Sequence, residues 1–280
     1  MSVVELSASP LGVDAGPAAS GARTALRRSA MAWAITALAG QLVFAGYIAL
    51  YFGRAALAGR WLDWNRTLAV GVVPGDGFGN AVLGAHLAAA VLLMLCGLVQ
   101  LLPVVRRRWP AWHRLSGRVF LLGALTGAAG GLYMTATRPV IGDAAQHVLV
   151  SLNGLMILVA ATQAWRHARA GRFGAHRRWA LATWLLVNGV WFFRIGLMLW
   201  LVANRGPVGF DPKTFTGPFI LVLTAAQFLL PLALLALYLR AEHSRSRTLA
   251  WATTALLAAA TLVTAGGSAA AAALMWLPRL

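Results

Sequence analysis

Apolar residues occur in seven long runs, and the segments between them hold most of the polar and charged positions. Each run has about 20 residues or more, which is the length an α-helix needs to cross the hydrocarbon core of a bilayer. The pattern predicts an all-α integral membrane protein with seven transmembrane helices. We number these predicted spans one to seven: 30–52, 80–103, 111–136, 144–165, 175–202, 216–239 and 248–276.

Composition agrees with this class. The chain of 280 residues is 60% hydrophobic and 11% charged, whereas a soluble domain has roughly 25% charged residues. The formal net charge of +17 could suggest a nucleic-acid partner. However, the positive charges lie in short segments between apolar runs, which is typical of membrane orientation signals. We therefore expect no nucleic acid and name the lipid bilayer, with its anionic lipids, as the partner.

The distribution of Lys and Arg predicts an orientation. Residues 1–29 are rich in Ala, Ser, Gly and Pro and are predicted to form a disordered cytoplasmic tail, followed by a polytopic transmembrane domain over 30–280. With the N-terminus inside, sixteen of the 24 basic residues lie on the cytoplasmic side and seven outside. The remaining one, Arg194, lies inside span five. This bias favours a cytoplasmic N-terminus and an external C-terminus.

Four consecutive spans each have one histidine near their N-terminal end. These are His86 in span two, His113 in span three, His147 in span four and His176 in span five. Because successive helices alternate in direction, His86 and His147 share an outer layer, and His113 and His176 share an inner one. In a central four-helix bundle of spans two to five, over 80–202, each pair lies on diagonally opposed helices.

Two facing imidazoles suit the axial ligation of a b-type haem, which needs no covalent attachment motif. The sequence therefore predicts two b-type haems bound by these pairs, and transmembrane electron transfer between them. A ring between helices also needs space. Gly117 lies one turn after His113, and Gly131 lies 18 residues after it on the same face. The glycines at 123, 127 and 131 indicate either close helix packing within the monomer or a homodimer contact.

Arginines accompany the histidines. Arg194 lies 18 residues after His176, so it is expected on the same helix face but close to the outer haem. An arginine at the centre of a membrane helix costs at least about 2.5–3.5 kcal/mol, so it should have a partner such as a haem propionate or an anionic substrate. Near the inner pair, Arg114, Arg118 and Arg177 could surround haem propionates or attract an anionic electron donor, and all three also fit ordinary cytoplasmic loop charge.

Two family resemblances follow from these residues. Residues 84–195 resemble the bacterial membrane family called domain of unknown function 2306, through Gly84-Ala85-His86, His113-Arg114-Leu115-Ser116-Gly117-Arg118, His176-Arg177-Arg178-Trp179 and Arg194. This resemblance implies a multi-pass protein of the bacterial inner membrane and no established activity. The layout of the four histidines is also similar to that of dihaem cytochromes of the b-561 type. That second resemblance implies a transmembrane oxidoreductase with a small electron donor or acceptor.

Other functions remain open on the sequence. The histidines could belong to a non-haem transporter, a sensor or another metal-binding protein, or could merely cap helices. A lipid-active enzyme would use a His-Arg pair at the headgroup level, but no nucleophile lies near such a pair. The seven acidic residues all lie outside the deep parts of the spans, which disfavours carboxylate proton relays.

Overall fold

The chain folds into long helices joined by short connections. The computed structural model describes residues 17–68, 70–138 and 141–280, and these residues form no β-sheet. Nine α-helices lie among them, and a short 3₁₀ helix, Trp61–Arg66, follows the first. In chain order the α-helices are α1 (Pro17–Leu57), α2 (Gly77–Leu101), α3 (Pro103–Arg108), α4 (Pro110–Thr137), α5 (Ala144–Arg169), α6 (Phe173–Val187), α7 (Gly189–Asn204), α8 (Pro218–His243) and α9 (Arg247–Ala271).

Seven membrane spans are compatible with these helices. Among the described residues, six helices are long and apolar enough to cross a bilayer, and α6 with α7 makes a seventh as a bent pair. The prediction of an all-α membrane protein is therefore confirmed. The ends of spans two, three and four lie within about four residues of the predicted ones, because Asp76, Pro110 and Asp143 mark the starts of their helices.

The prediction for span five missed a break. The axis bends by 50° between α6 and α7, and the turn residue is the buried Asn188. A broken helix inside a membrane leaves backbone carbonyls that lipid cannot satisfy. Here the side-chain amide of Asn188 donates to Trp184 O at 2.7 Å, and that of Asn153 donates to Leu186 O at 3.4 Å. Gly189 lets α5 pack closely against the break, because a Cβ at this position would lie only 3.1 Å from Asn153 Nδ2.

The break divides the packing into two groups of helices. Helix α4 lies between α2 and α5, and α6 continues this group by packing on α5. Helix α7 leaves that group and packs mainly on α9 and α8, while α1 packs mainly on α9. The predicted central bundle of spans two to five thus includes the first half of span five, and its second half belongs to the group of α1, α8 and α9.

Helix α1 extends into the predicted tail. Residues 1–16 lie outside the described residues, but 17–29 belong to α1, so this part of the predicted disordered tail is helical. Its 41 residues span about 61 Å at 1.5 Å per residue, roughly twice the hydrocarbon thickness. Leu26, which is only 1% exposed, packs with Ala241 and Leu257. This contact and the alanine-rich sequence explain why the segment is ordered.

Candidate histidine site and its surroundings

One end of the molecule, which we call the arginine-rich end, contains the connections 102–109, 170–172 and 244–246. His176 lies here at the start of α6, and its Nδ1 is 2.9 Å from Ala164 O of α5. Because a carbonyl oxygen only accepts hydrogen bonds, this Nδ1 bears the proton. In the neutral imidazole, Nε2 then has a lone pair available for a metal, which is the usual arrangement of a ligating histidine.

His113 lies at the same end as His176, on α4. The two imidazoles are within electrostatic range of each other, and His113 Nδ1 is buried without a hydrogen-bond partner. The N-terminal turn of α4 that bears His113 is held by Gln100 of α2, whose Nε2 donates to His113 O at 2.8 Å and to Ser116 Oγ at 2.7 Å. Both members of the predicted inner pair thus lie at the arginine-rich end, within electrostatic range of each other.

A third histidine joins this pair. His167, near the end of α5, also interacts electrostatically with His176, and its Nδ1 is buried without a partner. In the sequence His167 stands among arginines, and this pattern gives no sign that it joins the pair. We call His113, His167 and His176 the inner histidine cluster. Among the described residues, no three His, Cys, Asp or Glu side chains are grouped closely enough to hold a metal ion by themselves.

Only some of the predicted arginines face this cluster. Arg106 and Arg114 act on His113, and Arg166, Arg172 and Arg178 act on His167. Arg118 is exposed. Arg177 is engaged elsewhere, since its guanidinium donates to both oxygens of Glu242 on α8, at 2.8 and 3.3 Å. The prediction that Arg177 surrounds a cofactor is corrected here, because α8 brings a carboxylate to it.

The glycines predicted to make room for a ring admit side chains of α2 instead. A Cβ at Gly117 would lie 3.0 Å from Gln100 Oε1, and one at Gly131 would lie 3.4 Å from His86 Cε1. Gly123 faces Leu93 of α2 in the same way. The glycine series therefore serves close packing of α2 on α4 within the monomer, which is one of the two alternatives that the sequence left open.

The outer histidines both lie against α4. His86 Nδ1 is 3.0 Å from Gly127 O, so its Nε2 also has a lone pair. His147 Nε2 is 3.4 Å from Ile141 O. His147 also borders an open groove of about 450 Å³, lined by Thr135, Ala136, His147, Val148, Ser151, Leu152 and Leu155. Helices α2 and α5 both pack on α4, and the electrostatic interaction that links His113 to His176 has no counterpart for the described His86.

Arg194 lies in a different part of the molecule from the one predicted. Its Cζ is 5.3 Å from the centre of the Phe44 ring on α1, and its electrostatic neighbours are Tyr47 and Arg279. The bend at Asn188 explains the difference, because it turns α7 toward α1 and α9 and away from the faces that α6 presents. A straight helix was assumed when the 18-residue spacing was used.

Arg138 is a residue whose role the sequence did not reveal. At the C-terminal end of α4, its buried guanidinium donates to Asp76 Oδ2 at 2.7 Å, to Asn80 Oδ1 at 2.7 Å and to Gly71 O at 3.0 Å. Asp76 in turn caps α2 through the amide of Gly79. The hydrogen bond from Arg138, then that from Gly79, lower the pKa of Asp76 below its usual value. This network ties α4 to α2 and to the 67–76 loop.

Two observations make the side chains of the inner pair compatible with ligands of a b-type haem. His113 has a buried ring nitrogen without a partner, and His176 is oriented by a backbone carbonyl so that Nε2 can ligate iron. At the other end, His86 is oriented in the same way, while His147 contributes a half-buried imidazole beside an open groove. Basic side chains near the inner cluster suit the propionates of such a group.

Comparison with known proteins identifies the family. Residues 83–239, more than half of the chain, match the family model described as predicted membrane protein, DUF2306. The chain belongs to this family. It is also 33% identical over 129 residues to the fluoride-specific ion channel FluC of Bordetella avium (strain 197N), an alignment that covers 42% of this chain and 91% of that protein. No solved structure matches the chain significantly.

Proposed function

We propose that this protein transfers electrons across the bacterial inner membrane through two b-type haems, and that His113 and His176 bind the haem at the arginine-rich end. The observation that carries the proposal is this inner pair: two imidazoles on different helices within electrostatic range of each other, one oriented by Ala164 O and one with an unpartnered buried nitrogen. His86 and His147 are the proposed ligands at the opposite end.

The residues have distinct roles in this proposal. The haems, when bound, supply one-electron redox chemistry. The carbonyls of Ala164 and Gly127 fix the tautomer and orientation of His176 and His86, and so present Nε2 to the iron. Arg106 and Arg114 place positive charge beside His113, where it would attract propionates or an anionic electron donor.

The distance between the two ends limits how electrons can cross. His113 and Gly127, which contacts His86, are 14 residues apart on α4, or about 21 Å along the helix axis. Trp184 is buried at an intermediate depth, with its indole nitrogen 3.0 Å from the position a Cβ would take at Gly97 of α2. We propose that this aromatic side chain lies between the two haems and shortens the gap between conjugated groups.

The charge distribution supports the orientation that the proposal needs. The segments 106–118, 166–178 and 240–247 at the arginine-rich end hold thirteen of the 24 basic residues, and such segments face the cytoplasm in bacterial inner-membrane proteins. The inner histidine cluster would then meet a cytoplasmic electron donor or acceptor, and His86 and His147 would serve the external side. Cysteine accessibility to a membrane-impermeant reagent in intact cells, with single cysteines in the 170–172 and 205–217 connections, tests this orientation.

The test of the proposal is the absorption spectrum of the purified full chain, expressed with haem supplied. We expect a Soret band that sharpens on reduction and two haems per chain. His176→Ala should remove one of them. His243→Ala is the matched control, because His243 is exposed and bonds only its own helix at Leu239 O. Protein that is folded but lacks a Soret band contradicts the proposal, and one haem per chain restricts it to a single site.

A second candidate is a membrane channel or transporter for a small anion, without haem. Two observations favour it: the similarity to a fluoride-specific channel and the span broken at Asn188, a feature that transporters use at ion sites. If it is correct, the purified protein in liposomes releases fluoride when a gradient is imposed, and an electrode measures the flux. Liposomes that retain fluoride as well as protein-free ones exclude it.

A further inference from the structure

Buried polar groups without partners collect where α1, α7 and α9 meet. Gln41 is 1% exposed, and Trp191 and Trp276 are 0% exposed. Their polar side-chain atoms have no hydrogen-bond partner: this holds for both amide atoms of Gln41 and for the indole nitrogens of Trp191 and Trp276. The hydroxyl of Ser268 is buried without a partner as well. An unpaired buried polar group is costly, and several at one helix junction indicate that something else satisfies them.

One face of α1 brings Trp191, Ser268 and Trp276 close to one another, and Gln41 follows Gly40 on the same helix. Gly40, Phe44 and Tyr47 follow the i, i+4, i+7 spacing of a helix stripe. At Gly40, a Cβ would lie 2.5 Å from Ser268 Oγ and 2.7 Å from Trp191 Cζ2. One turn along, the Phe44 ring stacks on Trp276, with ring centres 4.9 Å apart.

Arg194 of α7 packs against the same face of α1. Its guanidinium lies over Phe44, and Trp191 is one turn before it on α7. No ion pair among the described residues includes Arg194, and the acidic partners Asp63, Asp76 and Glu242 are engaged with other arginines. Its charged neighbour is another cation, Arg279. A guanidinium in a membrane span with only a second cation nearby lacks a counter-charge.

The chemistry of these groups selects the kind of ligand. A guanidinium and an indole N–H only donate hydrogen bonds, and a hydroxyl and an amide can donate as well. A collection of donors with positive charge and no carboxylate suits an anion, whereas a cation would be repelled.

We propose that Gln41, Trp191, Arg194, Ser268 and Trp276 form a binding site for a small monovalent anion, which we call the α1–α7–α9 site. This site is independent of the proposed haem binding and of the proposed fluoride transport, because it requires only that an anion binds to these residues. It is separate from the histidines, because the electrostatic neighbours of Arg194 are Tyr47 and Arg279. The anion would neutralise Arg194 and hold α1, α7 and α9 together within one of the two helix groups.

The test uses the purified full chain in detergent, with chloride exchanged for gluconate at constant ionic strength. Tryptophan emission reports on the site directly, because Trp191 and Trp276 belong to it, and the thermal unfolding midpoint reports on binding through linkage. We expect a saturable change in emission and a higher midpoint with chloride. Bound water instead of an anion would give no saturable response in the wild type, and that result overturns the proposal.

Variants locate the effect. Arg194→Gln should abolish the saturable response and Arg194→Lys should preserve it with weaker binding. Arg240→Gln is the matched control on the exposed side of α8 and should behave as the wild type. Ser268→Ala is the mildest change and should weaken chloride binding about 5–10-fold, as expected for the loss of one hydrogen bond. This variant tests the site if Arg194→Gln does not fold. An unchanged chloride affinity in Ser268→Ala and either Arg194 variant overturns the proposal.

Discussion

Replacing Gly267 by alanine is expected to loosen the crossing of α7 and α9. A Cβ at Gly267 would lie 2.7 Å from Ile195 O and 3.1 Å from Ile195 Cβ. The first of these atoms belongs to the backbone of α7, so no side-chain rotation can relieve the clash. The two helices must move apart, and the Arg194 segment must move with them.

The neighbouring glycine provides a matched control. A Cβ at Gly266 would meet only Leu199 Cδ1, at an ordinary contact distance of 3.6 Å. Both positions lie in α9, so both alanines gain the same helix propensity, about 1 kcal/mol. This gain cancels in the difference between the two variants, which isolates the cost of overpacking, about 1–3 kcal/mol. We expect Gly266→Ala to be slightly more stable than the wild type and Gly267→Ala to be less stable than Gly266→Ala by that amount.

The assay is reversible unfolding of the purified chain in mixed micelles of increasing SDS fraction, followed by tryptophan fluorescence. The free energy of unfolding of each variant is obtained from the same fit, and the comparison is made between the two alanine variants. Equal stability of Gly266→Ala and Gly267→Ala would refute the reasoning, because it would mean that the close approach of α9 to Ile195 O does not exist.

Two further predictions concern ion pairs. Because Arg138 lowers the pKa of Asp76, this pair contributes stability that is complete above the unfolded-state pKa of about 4. The contribution is lost as the pH falls further, so acid should lower the unfolding midpoint of the wild type more than that of Asp76→Asn, and equal acid sensitivity would contradict the pairing. The Arg177–Glu242 pair is partly exposed, so Glu242→Gln should cost no more than about 1 kcal/mol in the same SDS assay, and a much larger loss would show that the pair does more than join α6 to α8.

Much of the fold could be predicted because its cause is local. A membrane span requires only a sufficient number of consecutive apolar residues, and the helix starts at Asp76, Pro110 and Asp143 follow from capping and proline chemistry. Helix α2 and helix α4 could therefore be placed to within a few residues. The layering of the histidines also followed from the alternation of helix direction.

The partners of individual side chains could not be predicted in this way. Arg194 was expected near the outer histidines because a straight helix was assumed, and the break at Asn188 turned it toward Phe44. Gly131 was expected to face a haem ring and instead admits the imidazole of His86. His167 and Arg138 carried no sequence signal, since each resembles an ordinary loop charge until helices remote in the chain are packed beside it.

By itself the sequence determined the membrane environment and the approximate positions of the spans, because apolar length decides these properties within each segment, but it did not show the break at Asn188. Only the tertiary structure decided which polar groups meet. It brought His113 within electrostatic range of His176, gave Arg177 a carboxylate and left Arg194 with none. The physical reason is that hydrogen bonds and ion pairs act over a few ångströms, so they depend on the contacts between helices rather than on the pattern within any one of them.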